Sequence, residues 1–130
     1  LLASASIEQY LDEGLVSART LTDYLFDRMA AHDLRRADVV RASGLNATVV
    51  YDIFSGKSRP GRDHAIMLAF GLKCTLRETQ RLLRLAGVSE LWCKQRRDAI
   101  IIWCIRNGFD RIATDDELYR MGEATLLPAD

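Results

Sequence analysis

The sequence predicts an all-α protein of 130 residues. Apolar residues recur at helical spacing along most of the chain, with helix-capping residues before these segments and glycines after them. No segment alternates apolar and polar residues with a period of two, so we expect no β-sheet. The length suits a single domain, which we expect to span residues 1–130.

Two helices are predicted in the N-terminal part of the chain. Residues 6–11 form a short helix candidate. Thr20 is an N-cap candidate for a longer helix, because its hydroxyl can accept a hydrogen bond from an unpaired backbone N–H. The apolar stripe of that second helix is formed by Leu21, Leu25 and Met29.

Two short helices joined by a sharp turn are predicted in residues 34–62, and we expect the rest of the chain to be organised around them. Gly44 ends the first helix, because glycine adopts the left-handed backbone conformation with little strain. Asn46 is an N-cap candidate for the second helix. The buried stripe of that helix is predicted to include Val50 and Ile53.

The next two helices are marked by their ends. Residues 63–70 form an apolar helix that stops at Gly71. Thr75 and Glu78 have the spacing of a capping box, in which each side chain binds the other residue's backbone N–H. This box predicts a helix that ends at Gly87.

Residues 94–122 are predicted to be a helical extension. Its main helix, residues 97–107, is apolar on nearly all sides, so we expect it to be deeply buried or to lie in a subunit interface, with Trp103 in the core. Thr114 and Glu117 form a second capping-box pattern, which predicts the start of a short last helix. The last six residues are predicted to form a tail.

Charge is distributed unevenly along this chain, whose formal net charge is zero. Residues 35–97 hold thirteen basic and five acidic side chains, a net charge of +8, while the segments on either side each carry −4. A basic middle between acidic ends is typical of a nucleic-acid footprint confined to one face. Ordinary charges on a solvated helical surface are the alternative interpretation.

Several classes of function are disfavoured. No apolar run is long enough to cross a bilayer and no signal peptide is recognisable, so we expect a cytoplasmic protein without a membrane partner. Cys74, Cys93 and Cys104 have neither disulfide-framework nor zinc-ligand spacing and are predicted to be core thiols. His32 and His64 have no partner at a catalytic spacing, so we expect no enzyme activity, metal or cofactor. The first residue is leucine rather than methionine, so we expect the chain to be part of a longer protein.

One ordered set of residues is similar to a known motif. It comprises the small or apolar Val40, Ala42, Val50 and Ile53, the turn Gly44-Leu45, the closing Ser55-Gly56-Lys57, and the following Arg59-Pro60-Gly61-Arg62-Asp63. This set resembles the helix-turn-helix of phage-repressor-like (lambda repressor/Cro, XRE-type) bacterial DNA-binding domains. The resemblance covers residues 20–87, and it implies a five-helix core with extra helices at both ends. It also implies a transcriptional regulator whose partner is double-stranded DNA.

The resemblance further implies that residues 46–54 enter the major groove of DNA. The positions it assigns to base edges are Ala47, Thr48, Tyr51 and Asp52. The positions it assigns to phosphates are Arg36, Asn46, Lys57, Arg59 and Arg62. None of the base-facing residues can make the bidentate contact of arginine with guanine or of glutamine with adenine, so we expect weak sequence specificity. The four cations predict a slope of about −3.6 for log K against log salt concentration.

Two further partners stay open. One short recognition helix reads few base pairs, so we expect a homodimer whose half-sites lie about 34 Å apart. The helices around Trp103 and Tyr119 are candidates for its interface. The alternative function is a protein-interaction adaptor that keeps the repressor-like scaffold. Its candidate contacts are side chains expected to be exposed, namely Tyr51, Phe54, Arg77, Arg81 and Arg84.

Overall fold

The computed structural model describes residues 21–128, and every regular element in that range is a helix. Helix α1 covers residues 21–31, and the helices that follow are α2 (Arg36–Ser43), α3 (Ala47–Phe54), α4 (Arg62–Gly71), α5 (Leu76–Leu85), α6 (Arg96–Arg106) and α7 (Arg111–Arg120). The all-α prediction is confirmed for this part of the chain. The short helix predicted at residues 6–11 and the N-cap predicted at Thr20 lie outside the described residues.

Helix α4 is the centre of the hydrophobic core. Its residues from Ala65 to Ala69 are all buried, and it contacts α2, α5 and α7. A helix that is apolar on all sides needs neighbours on all sides, and α4 has them. The contact with α2 is close because residue 71 is glycine: a Cβ there would lie 3.0 Å from both the Ser43 Cβ and the Val39 carbonyl oxygen.

The junction between α2 and α3 has the predicted geometry. Gly44 has a φ of 79°, and its N–H donates to the carbonyl oxygen of Val40 at 3.2 Å. The Asn46 Oδ1 accepts a hydrogen bond from the Thr48 N–H at 2.8 Å, so Asn46 caps α3. Both residues therefore perform the local role that their chemistry predicted, and α3 begins three residues after Gly44.

The predicted capping box of α5 is confirmed, but the one predicted for α7 is wrong. Thr75 and Glu78 exchange hydrogen bonds of 2.9 and 3.2 Å at the start of α5. Helix α7 begins earlier than predicted, because the Asp110 carboxylate accepts from the Ala113 N–H at 2.8 Å. Thr114 consequently lies inside the helix and is buried.

Helix α6 lies at the surface of the chain, so the predicted deep burial is wrong, while the alternative of a subunit interface stays a prediction. Ile101 and Cys104 face the core, but Trp103 is 53% exposed. The buried residues of α6 are Asp98, Ile101 and Cys104, a single stripe at helical spacing, and Trp103 lies outside that stripe. The prediction of three core thiols also fails, since Cys93 is exposed and Cys74 is only partly buried.

The predicted C-terminal tail is wrong for the residues that the structure describes. Leu126 is buried, and its backbone N–H donates to the Asp115 carboxylate at 2.7 Å. The Leu127 N–H donates to the same carboxylate at 3.2 Å. Asp115 is itself buried in α7, so its carboxylate needs donors, and these two amides hold the end of the chain against the fold.

Candidate nucleic-acid interface

One face of α3 is open to solvent while the other packs into the core. The exposed residues near its start are Ala47, Thr48 and Tyr51, and Tyr51 is 45% exposed. Val50 and Ile53 are buried on the opposite side, as the helical spacing predicts. Asp52 lies between the two faces and is half-buried. Its carboxylate has no hydrogen bond or ion pair with residues 21–128.

Phe54 belongs to the buried face of α3, which corrects the expectation that it is exposed. Its side chain is only 2% exposed, and its ring packs edge-to-face against Phe26 with centroids 5.2 Å apart. Phe54 lies one turn after Val50, so both side chains point to the same side of the helix. It is therefore unavailable as a contact for a protein partner.

The N-terminus of α2 touches the exposed face of α3. The guanidinium carbon of Arg36 lies 5.2 Å from the centroid of the Tyr51 ring. A cation–π contact at an exposed site contributes about 0.5–1 kcal/mol, which favours this arrangement of the two side chains. Arg36 is exposed and makes no ion pair with the described residues. Its charge therefore stands next to the solvent-facing ring of α3.

Two further cations lie in the loop after α3. Lys57 and Arg59 are both exposed, and neither has an acidic partner among residues 21–128. The loop itself is fixed, because the backbone N–H groups of Lys57 and Ser58 donate to the Asp52 carbonyl oxygen at 2.9 and 3.2 Å. The loop backbone is thus ordered while both cationic side chains stay free of carboxylates.

Asn46 stands exposed at the N-terminus of α3. Its side-chain oxygen is used by the cap on Thr48. The amide NH₂ group keeps two donors, which have no acceptor in the described part of the chain. An exposed donor at a helix N-terminus adds to the attraction that the helix dipole itself has for an anion.

Arg62 turns into the fold and does not join these surface cations. Its two terminal nitrogens donate to the Asp98 carboxylate at 3.1 and 2.6 Å. Its Nε donates to the Ser89 carbonyl oxygen and its Nη2 to that of Glu90, each at 3.0 Å. Arg62 therefore joins α4 to α6 and to the loop before α6. The sequence offered no sign of this, because Asp98 lies 36 residues away.

A second cationic surface lies on α1 and α5, and sequence reasoning missed the tyrosine at its centre. The Tyr24 ring has the guanidinium carbons of Arg28 and Arg81 at 5.6 and 5.5 Å from its centroid. Arg28 also forms ion pairs with Glu78 and Asp27. Arg77 and Arg84 are exposed nearby on α5. Part of this surface is thus neutralised by its own acids.

The described residues contain no grouping of three His, Cys, Asp or Glu side chains suited to hold a metal ion. His32 and His64 are both exposed, and neither is paired with an acid or a thiol within residues 21–128. No helix in that range combines the length and apolar character needed to cross a bilayer.

In comparisons with known proteins, no family model, curated protein or solved structure matches this chain.

Proposed function

We propose that this chain binds duplex DNA by placing α3 in the major groove, as expected for a helix-turn-helix transcriptional regulator. The observation that carries the proposal is the exposed face of α3, with Arg36 held against Tyr51 and two unpaired cations in the loop that follows. A solvent-facing helix whose start carries no charge, beside cations without acidic partners in residues 21–128, suits a groove whose walls are phosphates.

The proposed contacts divide into two kinds. Arg36, Lys57 and Arg59 are assigned to phosphates, with the Asn46 amide as an uncharged donor. Arg62 is left out because its donors are used inside the fold. Three cations give an expected slope of about −2.7 per protomer for log K against log salt, instead of about −3.6 for four.

Base readout is assigned to short side chains. The Ala47 methyl can contact a thymine methyl, and the Thr48 hydroxyl can donate to or accept from a base edge. Tyr51 offers a phenol, and the unpaired carboxylate of Asp52 can accept from a cytosine amino group. Because none of these contacts is bidentate, phosphate contacts supply most of the affinity in this proposal.

A second copy of the chain is the proposed protein partner. Helices α6 and α7 expose Trp103, Ile112 and Tyr119. A groove beside Trp103 also carries both Arg120 and Glu117. These two side chains pair with each other at 2.7 Å, so the apolar patch can meet its own copy across a two-fold axis without burying either charge unpaired. Dimerisation would add a second recognition helix, which a short α3 needs in order to read a useful length of DNA.

The test is the salt dependence of binding to a fluorescent duplex of about 20 base pairs. We expect the wild-type slope to fall close to zero in a variant carrying Arg36→Gln, Lys57→Gln and Arg59→Gln. The control variant removes three other exposed cations through Arg77→Gln, Arg84→Gln and Arg106→Gln, so the change in net charge is the same. The control should keep the wild-type slope. Equal loss in both variants, or no wild-type binding at 50 mM salt, would refute the proposal.

The adaptor function is the second candidate, and one observation favours it: the large apolar side chains exposed on α6 and α7. In that case the same scaffold binds another protein through this face, and the triple variant at α3 leaves binding intact. For either candidate we propose a binding role and not an enzymatic one. Both candidates place the chain in the cytoplasm, where its free cysteines stay reduced.

A further inference from the structure

A cavity of about 520 Å³ lies where the C-terminal ends of α2 and α4 meet the turn between α6 and α7. Its size falls within the range of small-molecule sites in proteins. Apolar side chains from both parts of the fold form its walls, including Phe70, Ile105 and Phe109. Burial raises the pKa of Cys74, which also lines the cavity, to about 12. That thiol is therefore neutral, and the wall around it is apolar.

The same cavity is lined by three cations, Arg41, Lys73 and Arg111. The one acidic residue among its lining groups is Asp110, whose carboxylate already accepts the capping hydrogen bond of α7. Arg41 and Arg111 each have an acidic partner elsewhere, but Lys73 has none within residues 21–128. The cavity thus combines apolar walls with an excess of positive charge.

Lys73 is held in an unfavourable backbone conformation at this place. Its φ is 56°, in the left-handed region that favours glycine after a helix end. A lysine here destabilises the turn relative to glycine, and it places an ammonium group beside the cavity. Such strain is often found where a side chain serves a ligand.

Arg111 is the most deeply buried of the three cations that line the cavity. Its side chain is only 11% exposed, and its Nε is buried without a hydrogen-bond acceptor in the described residues. Buried donors in proteins are normally paired, and an unpaired one is destabilising. The Nε faces Gly44, where a Cβ would lie 2.7 Å from it, so a ligand oxygen in the cavity would be bound by the terminal guanidinium nitrogens and not by the Nε.

We propose that this cavity binds a small organic carboxylate with an apolar body. The carboxylate group would sit between Lys73 and the two arginines, and the body would lie against Phe70, Ile105 and Phe109. A carboxylate matches the charge of the cavity, and an apolar body matches its walls. The site goes beyond DNA binding and does not depend on it, so each can fail while the other stands.

Trp103 provides the readout, because its ring lies 5.2 Å from the ring of Phe109 in the cavity wall. Trp92→Phe removes the one other tryptophan and leaves Trp103 as the sole reporter. The probe is 3-phenylpropionate, titrated by fluorescence and by calorimetry, with 3-phenylpropionamide as its uncharged analogue. We expect saturable binding of the carboxylate and at least tenfold weaker binding of the amide.

The decisive variant is Lys73→Gly. It removes the charge and relieves the left-handed strain, so we expect at least tenfold weaker carboxylate binding together with a higher Tm. A loss of binding in this variant cannot result from unfolding. The control is Lys94→Gly, which removes an exposed lysine outside the cavity and should leave affinity unchanged. Equal affinity for the two probes, unchanged affinity in Lys73→Gly, or no saturable binding at millimolar concentration would overturn the proposal.

Discussion

Replacing Arg62 with methionine tests whether this arginine holds the fold together or faces DNA. The substitution removes four hydrogen bonds, two of them to Asp98, which is only 1% exposed. Removing one partner of a buried ion pair destabilises a protein by about 3–5 kcal/mol, because the other charge stays buried. The Trp92 N–H would still donate to the Asp98 carboxylate at 2.9 Å, so that carboxylate would keep one hydrogen bond. We therefore expect a destabilisation at the lower end of this range, about 3 kcal/mol.

That loss is a large part of the 5–15 kcal/mol that typically stabilises a domain. For a chain of this length it corresponds to a fall in Tm of about 10 °C. Urea and thermal denaturation measure it, and Lys57→Met is the control. Lys57 is exposed without an acidic partner among the described residues, so this variant should stay within about 0.5 kcal/mol of wild type.

Lys57→Met should impair DNA binding more than Arg62→Met, the reverse of their expected effects on stability. Lys57→Met should lower the salt slope by about 0.9, whereas Arg62→Met should leave it unchanged under conditions where the protein is folded. Wild-type stability of Arg62→Met together with a lower salt slope would show instead that Arg62 is a phosphate contact, as the helix-turn-helix resemblance implied.

Three further predictions concern other parts of the fold. Gly44→Ala should destabilise by about 2–3 kcal/mol in urea unfolding, since a Cβ there would lie 2.7 Å from the Arg111 Nε at a φ of +79°. Gly122→Ala is the control, because its φ of +76° is similarly unfavourable for alanine but, apart from its chain neighbours, no atom of the described residues lies within 4 Å of the new Cβ. It should destabilise the protein less than Gly44→Ala, and an equal loss would contradict the close contact between Gly44 and Arg111. The raised pKa of Cys74 means that its contribution to stability is full below pH 9 and lost towards pH 12. Between pH 8 and pH 10 the unfolding free energy of Cys74→Val should therefore fall by about 1 kcal/mol less than that of wild type. Equal falls in the two proteins would show that the Cys74 thiol does not cause the pH dependence. Trp103→Glu should convert a dimer to monomer in sedimentation, and an unchanged dimer would place the interface elsewhere.

Local chemistry made parts of this structure predictable. The roles of Gly44, Asn46 and Thr75 follow from hydrogen bonds within a few residues, so sequence alone was sufficient. The exposure of Thr48 and Tyr51 follows from helical periodicity once the buried face of α3 is recognised.

Contacts between residues that are far apart in the sequence could not be predicted from it. The inward turn of Arg62 depends on Asp98, and the ordering of Leu126 depends on Asp115. Neither pair leaves a pattern in one sequence. The exposure of Trp103 depends on which neighbours pack around α6, and apolar composition cannot show that.

Amide chemical shifts of the isotope-labelled chain, titrated with a duplex of about 20 base pairs at low salt, test the central claim most directly. We expect the largest changes on residues 46–52, on residues 57–59 and on the start of α2 around Arg36. Changes concentrated on α6 and α7, or on the exposed arginines of α5, would contradict the assignment of α3 to the DNA groove.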